Sequence, residues 1–188
     1  MKNKTIIAIV GMAGSGKTEV INYLENKYAW PKEYLGRHTF ELIKKRQLEV
    51  NYENEKIIRE EIRKELGMGA YAKLSLPTIK KLLQKNNVVL IESLYSWDEY
   101  KIIKQTFKQN FKVLAVYASP TNRFTRLQTR PIRPIKTLKE FETRDWTEIE
   151  GTDKGGPIAV ADFTIINNEN ILKKFHKQID IAVEELLR

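Results

Sequence analysis

The chain has 188 residues, of which 41% are hydrophobic and 30% charged, enough for one domain with a buried core, a soluble surface and an inserted piece. It contains no cysteine, which excludes disulfides and thiolate metal sites, and its longest apolar runs, Ile6–Val10 and Val88–Ile91, fall far short of the ~20 residues of a membrane span. A net charge of +9, from 33 Lys and Arg against 24 Asp and Glu, favours anionic partners, nucleotides or a nucleic-acid backbone, although the abundance of Ile, Lys and Asn gives the excess a compositional reading too.

The opening MKNKTIIAIVGMAG starts with positive charge, but its apolar run passes straight into a glycine loop. It therefore predicts a core strand, Thr5–Val10, and not a signal peptide. A cytoplasmic protein is the expectation. A helix follows from about Gly16 to Tyr28, with Val20, Ile21, Leu24 and Tyr28 on one face, and a short second strand lies near Tyr34–Leu35.

Residues 38–86 read as helical. Phe40, Ile43 and Leu48 mark one piece; Ile58, Ile62 and Leu66 mark another. After a break at Gly67-Met68-Gly69, Ile79, Leu82 and Leu83 mark a third. This stretch is much longer than a plain crossover between parallel strands, which predicts an inserted helical region that closes on a substrate.

The third strand is Val88–Glu92, and Ser96 with Glu99 forms a capping box that opens a helix to about Phe107. Phe111–Ala118 is the fourth strand, after which Ser119 caps a helix with Pro120 at its first position. Arg130–Lys136, RPIRPIK, contains two prolines and cannot be helical throughout. Thr137 and Glu140 form a second capping box for a helix towards Ile149. Gly151–Pro157, GTDKGGP, reads as a flexible loop, Asp162–Ile166 as the fifth strand and Glu169–Leu187 as an amphipathic closing helix. Strands alternating with helical periods predict an α/β fold with a parallel sheet.

Gly11–Thr18, GMAGSGKT, fits G-x-x-x-x-G-K-[ST] in full, between a strand and a helix. In such a loop glycines let backbone N–H groups turn inward around phosphates, and the helix N-terminus adds partial positive charge. Gly11, Ala13, Gly14, Ser15 and Gly16 are the expected cradle. Lys17 is expected to reach the β- and γ-phosphates of ATP, and the Thr18 hydroxyl to ligate Mg²⁺. Glu92, at the carboxyl end of the third strand, is a candidate to hold Mg²⁺ through water or to contact a substrate, since ligands of parallel sheets bind at that end.

Arg123, Arg126, Arg130 and Arg133 fall within SPTNRFTRLQTRPIRPIK, and Arg144 lies in the helix beyond. Phosphoryl transfer needs guanidinium groups against the charge of the transferred group. Arg130, Arg133 and Arg144 are the candidates for that role, Arg126 for the nucleotide side. Arg37 follows the second strand, where an acceptor phosphate or carboxylate could be met. His38 reads as structural, His176 as solvated, and Trp30, Trp97 and Trp146 as packing residues.

The whole pattern resembles the nucleoside-monophosphate-kinase group of P-loop proteins, in particular an uncharacterised family of nucleotide-kinase-like proteins best known from archaea, and more distantly dephospho-CoA kinases. The resemblance rests on GMAGSGKT, GMGAYAKLSLP (67–77), ASPTNRFTRLQTR (118–130), FETRDWTEIE (141–150) and ADFTIINN (161–168). It implies a three-layer α/β/α fold with a five-stranded parallel sheet, residues 38–86 as the acceptor-binding insert, 130–136 as an arginine lid, and Asn167 or Asn168 beside the adenine. Two features depart from that group. Glu92-Ser93-Leu94-Tyr95 stands where Asp-Gly-x-Arg is usual, and Arg37 stands where an acidic residue is usual.

The resulting expectation is one domain over residues 1–188 that moves the γ-phosphoryl group of ATP to a small acceptor, a nucleotide or nucleotide-like metabolite. The competing expectation is a nucleotide-dependent switch that binds nucleic acid or a protein. The charge speaks for the switch; the arginine lid and the short chain speak for the kinase. Oligomeric state stays open.

Overall fold

In the computed structural model, which describes residues 4–169 and 171–188, five parallel strands run in the order β2-β3-β1-β4-β5. They are β1 (Thr5–Val10), β2 (Lys32–Tyr34), β3 (Val88–Glu92), β4 (Phe111–Tyr117) and β5 (Phe163–Ile166). Residues 1–3, with the positive start, and Asn170, expected in the closing helix, lie outside the described residues.

β1 is central because all six of its residues are apolar or small enough to be buried on both faces. Its side chains alternate, as a strand requires. Ile6, Ala8 and Val10 join a core with Ile91, Phe111, Val113 and Ala115 on one face. Ile7 and Ile9 join Leu90, Leu114, Val116 and Ile165 on the other. The second face is covered by α1 (Lys17–Tyr28) through Val20, Ile21 and Leu24, and by α9 (Leu172–Leu187) through Phe175, Ile179 and Val183. The result is the three-layer α/β/α arrangement.

The other face carries the helices between β2 and β3, namely α2 (Arg37–Lys45), α3 (Tyr52–Leu66) and α4 (Ala70–Lys85), together with α5 (Trp97–Phe107). Ile43, Ile58, Ile62 and Ile79 from the first three are buried there. Phe40 and Leu48, expected on the same buried stripe, are instead exposed, because α2 ends at Lys45 and Phe40 leans out over Tyr34, ring centres 6.3 Å apart.

Both capping boxes form as expected, at the starts of α5 and α7 (Leu138–Glu150). α6 (Pro120–Thr129) stops before the two prolines, and its Leu127 packs with Ile135, Phe141 and Ala13 in a small third core under the phosphate loop. The second strand is Lys32–Tyr34, slightly earlier than expected, and it pairs with Leu90–Glu92. The larger correction concerns GTDKGGP. It is not loose: the segment closes into the short helix α8 (Gly155–Ala159), with Lys154 and Pro157 buried. Backbone bonds from Asp153 to Ile149 and from Lys154 to Glu148 fold it back on α7.

Candidate active site

The loop between β1 and α1 is shaped by its backbone. Gly11 has φ 143°, and a Cβ there would stand 2.4 Å from the Val116 carbonyl oxygen, so only glycine fits. Gly16 begins α1 at φ 108°, where a Cβ would meet Asn167 Nδ2 at 2.3 Å. Among the described residues no side chain caps α1, which leaves its first N–H groups for an anion. Ser15 Oγ is buried with no hydrogen-bond partner among the described residues. A buried hydroxyl without a partner at a helix start fits a site built for a phosphate.

Lys17 donates to the Met12 carbonyl at 3.0 Å, folded back over its own loop. Its ammonium is pushed down to about 7, first by burial and then by the neighbouring charges of Lys154, Arg144 and Arg123, against a smaller opposing pull from Glu148. Among the neighbouring charges, the cations outweigh Glu148 in their effect on Lys17.

A polar cavity of about 200 Å³ opens beside Lys17 and Thr18 at the carboxyl ends of β1 and β3. Arg130 and Arg144 reach it from the far side, and Glu92, Ser93 and Tyr95 reach it from the end of β3. Glu92 lies 3.3 Å from Lys32 Nζ, and the Tyr95 hydroxyl is 3.0 Å from Ser93 Oγ. Arg144 Nε sits 3.3 Å from Glu148 Oε1 as an ion pair without a hydrogen bond.

The arginine cluster divides into three kinds of contact. Arg123 is 6% exposed and grips Asp145 of α7 through two bonds of 2.8 and 2.6 Å, while its Nη1 donates to the Ala13 carbonyl. Arg126 donates to the carbonyls of Gly14 and Asn167. These two brace the loop from outside. Arg130 enters the cavity, with its Nε on the Arg133 carbonyl at 2.6 Å. Arg133 turns the other way and pairs with the buried Glu55 of α3, which also holds Arg59 at 3.1 Å.

Asn167, 9% exposed, donates to the Ser15 carbonyl at 2.9 Å, so the end of β5 is tied to the phosphate loop. Asn168 accepts from the Ser119 backbone at 2.7 Å. Arg37 stands at the start of α2, partly exposed, bonded to Glu33, Glu41 and Thr78. His38 bonds Glu41 and Ser75, each at 3.1 Å. His176 is not simply solvated: it bonds Glu19 at 2.7 Å and stacks on Tyr23 with ring centres 4.0 Å apart. Trp30 and Trp97 pack on Tyr28 and Tyr100, but Trp146 is 62% exposed.

Sequence reasoning missed Lys154, Glu148 and Tyr95, all of which line the cavity. Lys154 bonds Glu148 at 2.6 Å. Nothing in TDKGG separates a buried lysine from a solvated one. The i, i+4 spacing of Arg144 and Glu148 was the one legible signal.

Comparison with known proteins agrees with this geometry. The AAA domain profile matches residues 7–147. A UPF0200 protein of Thermococcus sibiricus is 35% identical over 183 residues, 96% of this chain and 95% of the relative. Another, of Hyperthermus butylicus, is 31% identical over 178 residues, 94% of this chain and 91% of the relative. Among solved structures, a shikimate kinase from Bacteroides thetaiotaomicron superposes with a TM-score of 0.61 at 17% identity, covering 96% of this chain and 98% of that one. A gluconokinase from Sinorhizobium meliloti does so with a TM-score of 0.56 at 12% identity, covering 100% and 95%. At such identities the likeness to these enzymes is one of fold, and the fold is that of P-loop kinases. With its phosphate loop, its parallel sheet and its archaeal relatives in agreement, this chain belongs to the UPF0200 family of AAA-domain, P-loop nucleotide-kinase-like proteins.

Proposed function

We propose that this protein transfers the γ-phosphoryl group of ATP to a small acceptor, a nucleotide or nucleotide-like metabolite, in the cytoplasm. The observation that carries the reading is one cavity in which Lys17, Thr18, Arg130 and Arg144 converge beside an uncapped helix start. Such a site works by positioning and by offsetting charge, without a covalent intermediate. Lys17 and the Gly11–Gly16 backbone hold the β- and γ-phosphates, and Arg126 and Asn167 brace the loop on the base side. Arg130 and Arg144 face the transferred group, and Arg133 joins them when the segment 130–136 closes.

No cluster of three or more His, Cys, Asp or Glu side chains suited to a metal ion occurs among the described residues. The donor set fits a different arrangement, in which Thr18, Glu92 through water, and the nucleotide's phosphates hold Mg²⁺. Bound there, Mg²⁺ would supply charge neutralisation for the phosphates.

The region of residues 38–86 is the proposed acceptor side, because it packs over β3, whose end carries Glu92, Ser93 and Tyr95. Arg37 at its entrance can exchange Glu41 for an acceptor's anionic group. No described helix is long and apolar enough to cross a membrane.

The test is a panel of nucleosides, nucleotides and coenzyme precursors, scored by acceptor-dependent ADP release, with Lys17→Ala as control. We expect one class to stimulate release and the folded Lys17→Ala protein, checked by circular dichroism, to release none. Undiminished turnover in that variant would exclude the site. The second reading, a nucleotide-dependent switch on nucleic acid, is favoured by the +9 net charge alone. It requires binding to a random oligonucleotide that weakens steeply with salt.

A further inference from the structure

Lys154 is a buried lysine that lines the cavity. It is 4% exposed, its Nζ lies 2.6 Å from Glu148 Oε2, and it sits 4.4 Å from the centre of the Tyr95 ring. Its backbone is fixed from both sides. The Lys154 N–H donates to the Glu148 carbonyl at 3.3 Å, and the next turn is pressed against Trp97, whose Cε3 would stand 2.8 Å from a Cβ on Gly156. A chain held this firmly delivers the ammonium to one place.

The charge around it is unbalanced. Glu148 answers Lys154, yet Arg144 lies 3.3 Å from the same carboxylate, Lys17 and Arg130 line the same cavity, and its other carboxylate, Glu92, already faces Lys32 at 3.3 Å. Burial alone would push the Glu148 carboxyl up, but Lys154, Arg144 and Lys17 together hold it below the usual carboxylate range. A purely structural ion pair needs one cation for one anion, because each further buried charge costs desolvation energy with nothing to offset it. The surplus is accounted for by an anion that enters from solvent.

The sheet order says where along that anion Lys154 stands. β1 and its loop lie between β3 and β4, and β5 lies outside β4. Asn167, at the end of β5, touches the phosphate loop from the β4 side, whereas Tyr95, under Lys154, follows β3 on the opposite side. Lys154 is therefore on the acceptor side of Lys17.

We propose that Lys154 is a second phosphate-binding lysine, which contacts the terminal phosphoryl group of a bound nucleoside triphosphate and is held in place by Glu148 until that group arrives. The proposal rests on the reading of this cavity as a triphosphate site. It assigns Lys154 a role distinct from Lys17, which serves the β-phosphate as well.

The experiment measures binding of Mg·ATP and Mg·ADP by calorimetry, without acceptor, to the wild-type chain and to Lys154→Met, Lys154→Arg and Glu148→Gln. Methionine keeps the aliphatic stem and removes the charge. Lys154→Met is expected to weaken Mg·ATP by about tenfold or more, the worth of a charge-assisted hydrogen bond, and to leave Mg·ADP close to wild type. Lys154→Arg should restore the preference for ATP. Glu148→Gln should lower the melting temperature yet bind Mg·ATP more tightly, since it releases the cations that Glu148 holds. Equal losses for ATP and ADP in Lys154→Met, or weaker ATP binding in Glu148→Gln, would reduce Lys154 to a structural ion pair. A wild-type chain that binds neither nucleotide overturns this proposal and the proposed function together; retained ATP binding without the discrimination overturns this one alone.

Discussion

Arg133 pairs with Glu55, so the proline-bounded segment after α6 is joined to the helical region between β2 and β3 by one ion pair at a buried carboxylate. Arg133 itself is at φ 53°, a left-handed conformation uncommon for a non-glycine residue, and its carbonyl accepts from Arg130 Nε at 2.6 Å. The segment proposed as a lid and the helices proposed as the acceptor side are thus linked to each other. To face a phosphoryl group, Arg133 must leave Glu55, which keeps Arg59 as its partner.

Arg133→Ala is expected to lower kcat about ten- to a thousandfold while changing ATP affinity much less, because a closing arginine acts on charge that develops in the transition state. Steady-state kinetics and calorimetry on the same preparation check it. An unchanged kcat would leave Arg133 a structural latch to α3.

Proton uptake should accompany nucleotide binding. Lys17 titrates near 7 in the free protein, faced by Lys154, Arg144, Arg123 and Glu148, and a bound phosphate favours its charged form. Above pH 7 the free protein has lost the proton that the complex holds, so affinity falls as pH rises, by at most about tenfold per unit. The same shift, downward from 10.5, means that between about pH 7 and 10.5 the unfolded chain binds a proton the folded chain does not. Lys17's contribution to stability therefore rises with pH across that window. Calorimetry of ATP binding in two buffers of different ionisation enthalpy measures the uptake directly; no difference between buffers at pH 8 would contradict it.

Asp145→Asn should destabilise the fold. It breaks a two-bond pair and leaves Arg123, with 7% side-chain exposure, charged under the phosphate loop. The loss should be about 3 kcal/mol, or roughly 6–12 °C in Tm for a chain of this length. Since Arg123 also donates to the Ala13 carbonyl, ATP affinity should fall with it. Thermal unfolding with and without nucleotide separates the two effects.

Arg37→Ala should raise the acceptor KM and leave ATP affinity near wild type, since Arg37 stands at the entrance of α2 and does not line the phosphate cavity. It also removes the bonds to Glu33 and Thr78 that join β2 to α4, so hydrogen exchange in α2 and α4 should quicken. Exchange that quickens while KM stays constant would assign Arg37 to folding alone.

The phosphate loop was fully legible in the chain because its chemistry is local: glycines, a lysine and a threonine at fixed spacing set a backbone cradle whatever surrounds it. Strands β1 and β3 and the capped starts of α5, α6 and α7 were legible for the same reason, as apolar runs and capping boxes are decided within a few residues. The arginines were legible as a cluster but not as individuals. Arg123 and Arg126 turn to the loop, Arg130 to the cavity and Arg133 to Glu55, and those partners are far away in sequence. Lys154 and Glu148 were invisible as site residues. Whether a lysine between an aspartate and two glycines is solvated or buried depends on whether Tyr95 lies against it, and only the packing of α8 on α5, with Trp97 against Gly156, and the loop after β3 decide that.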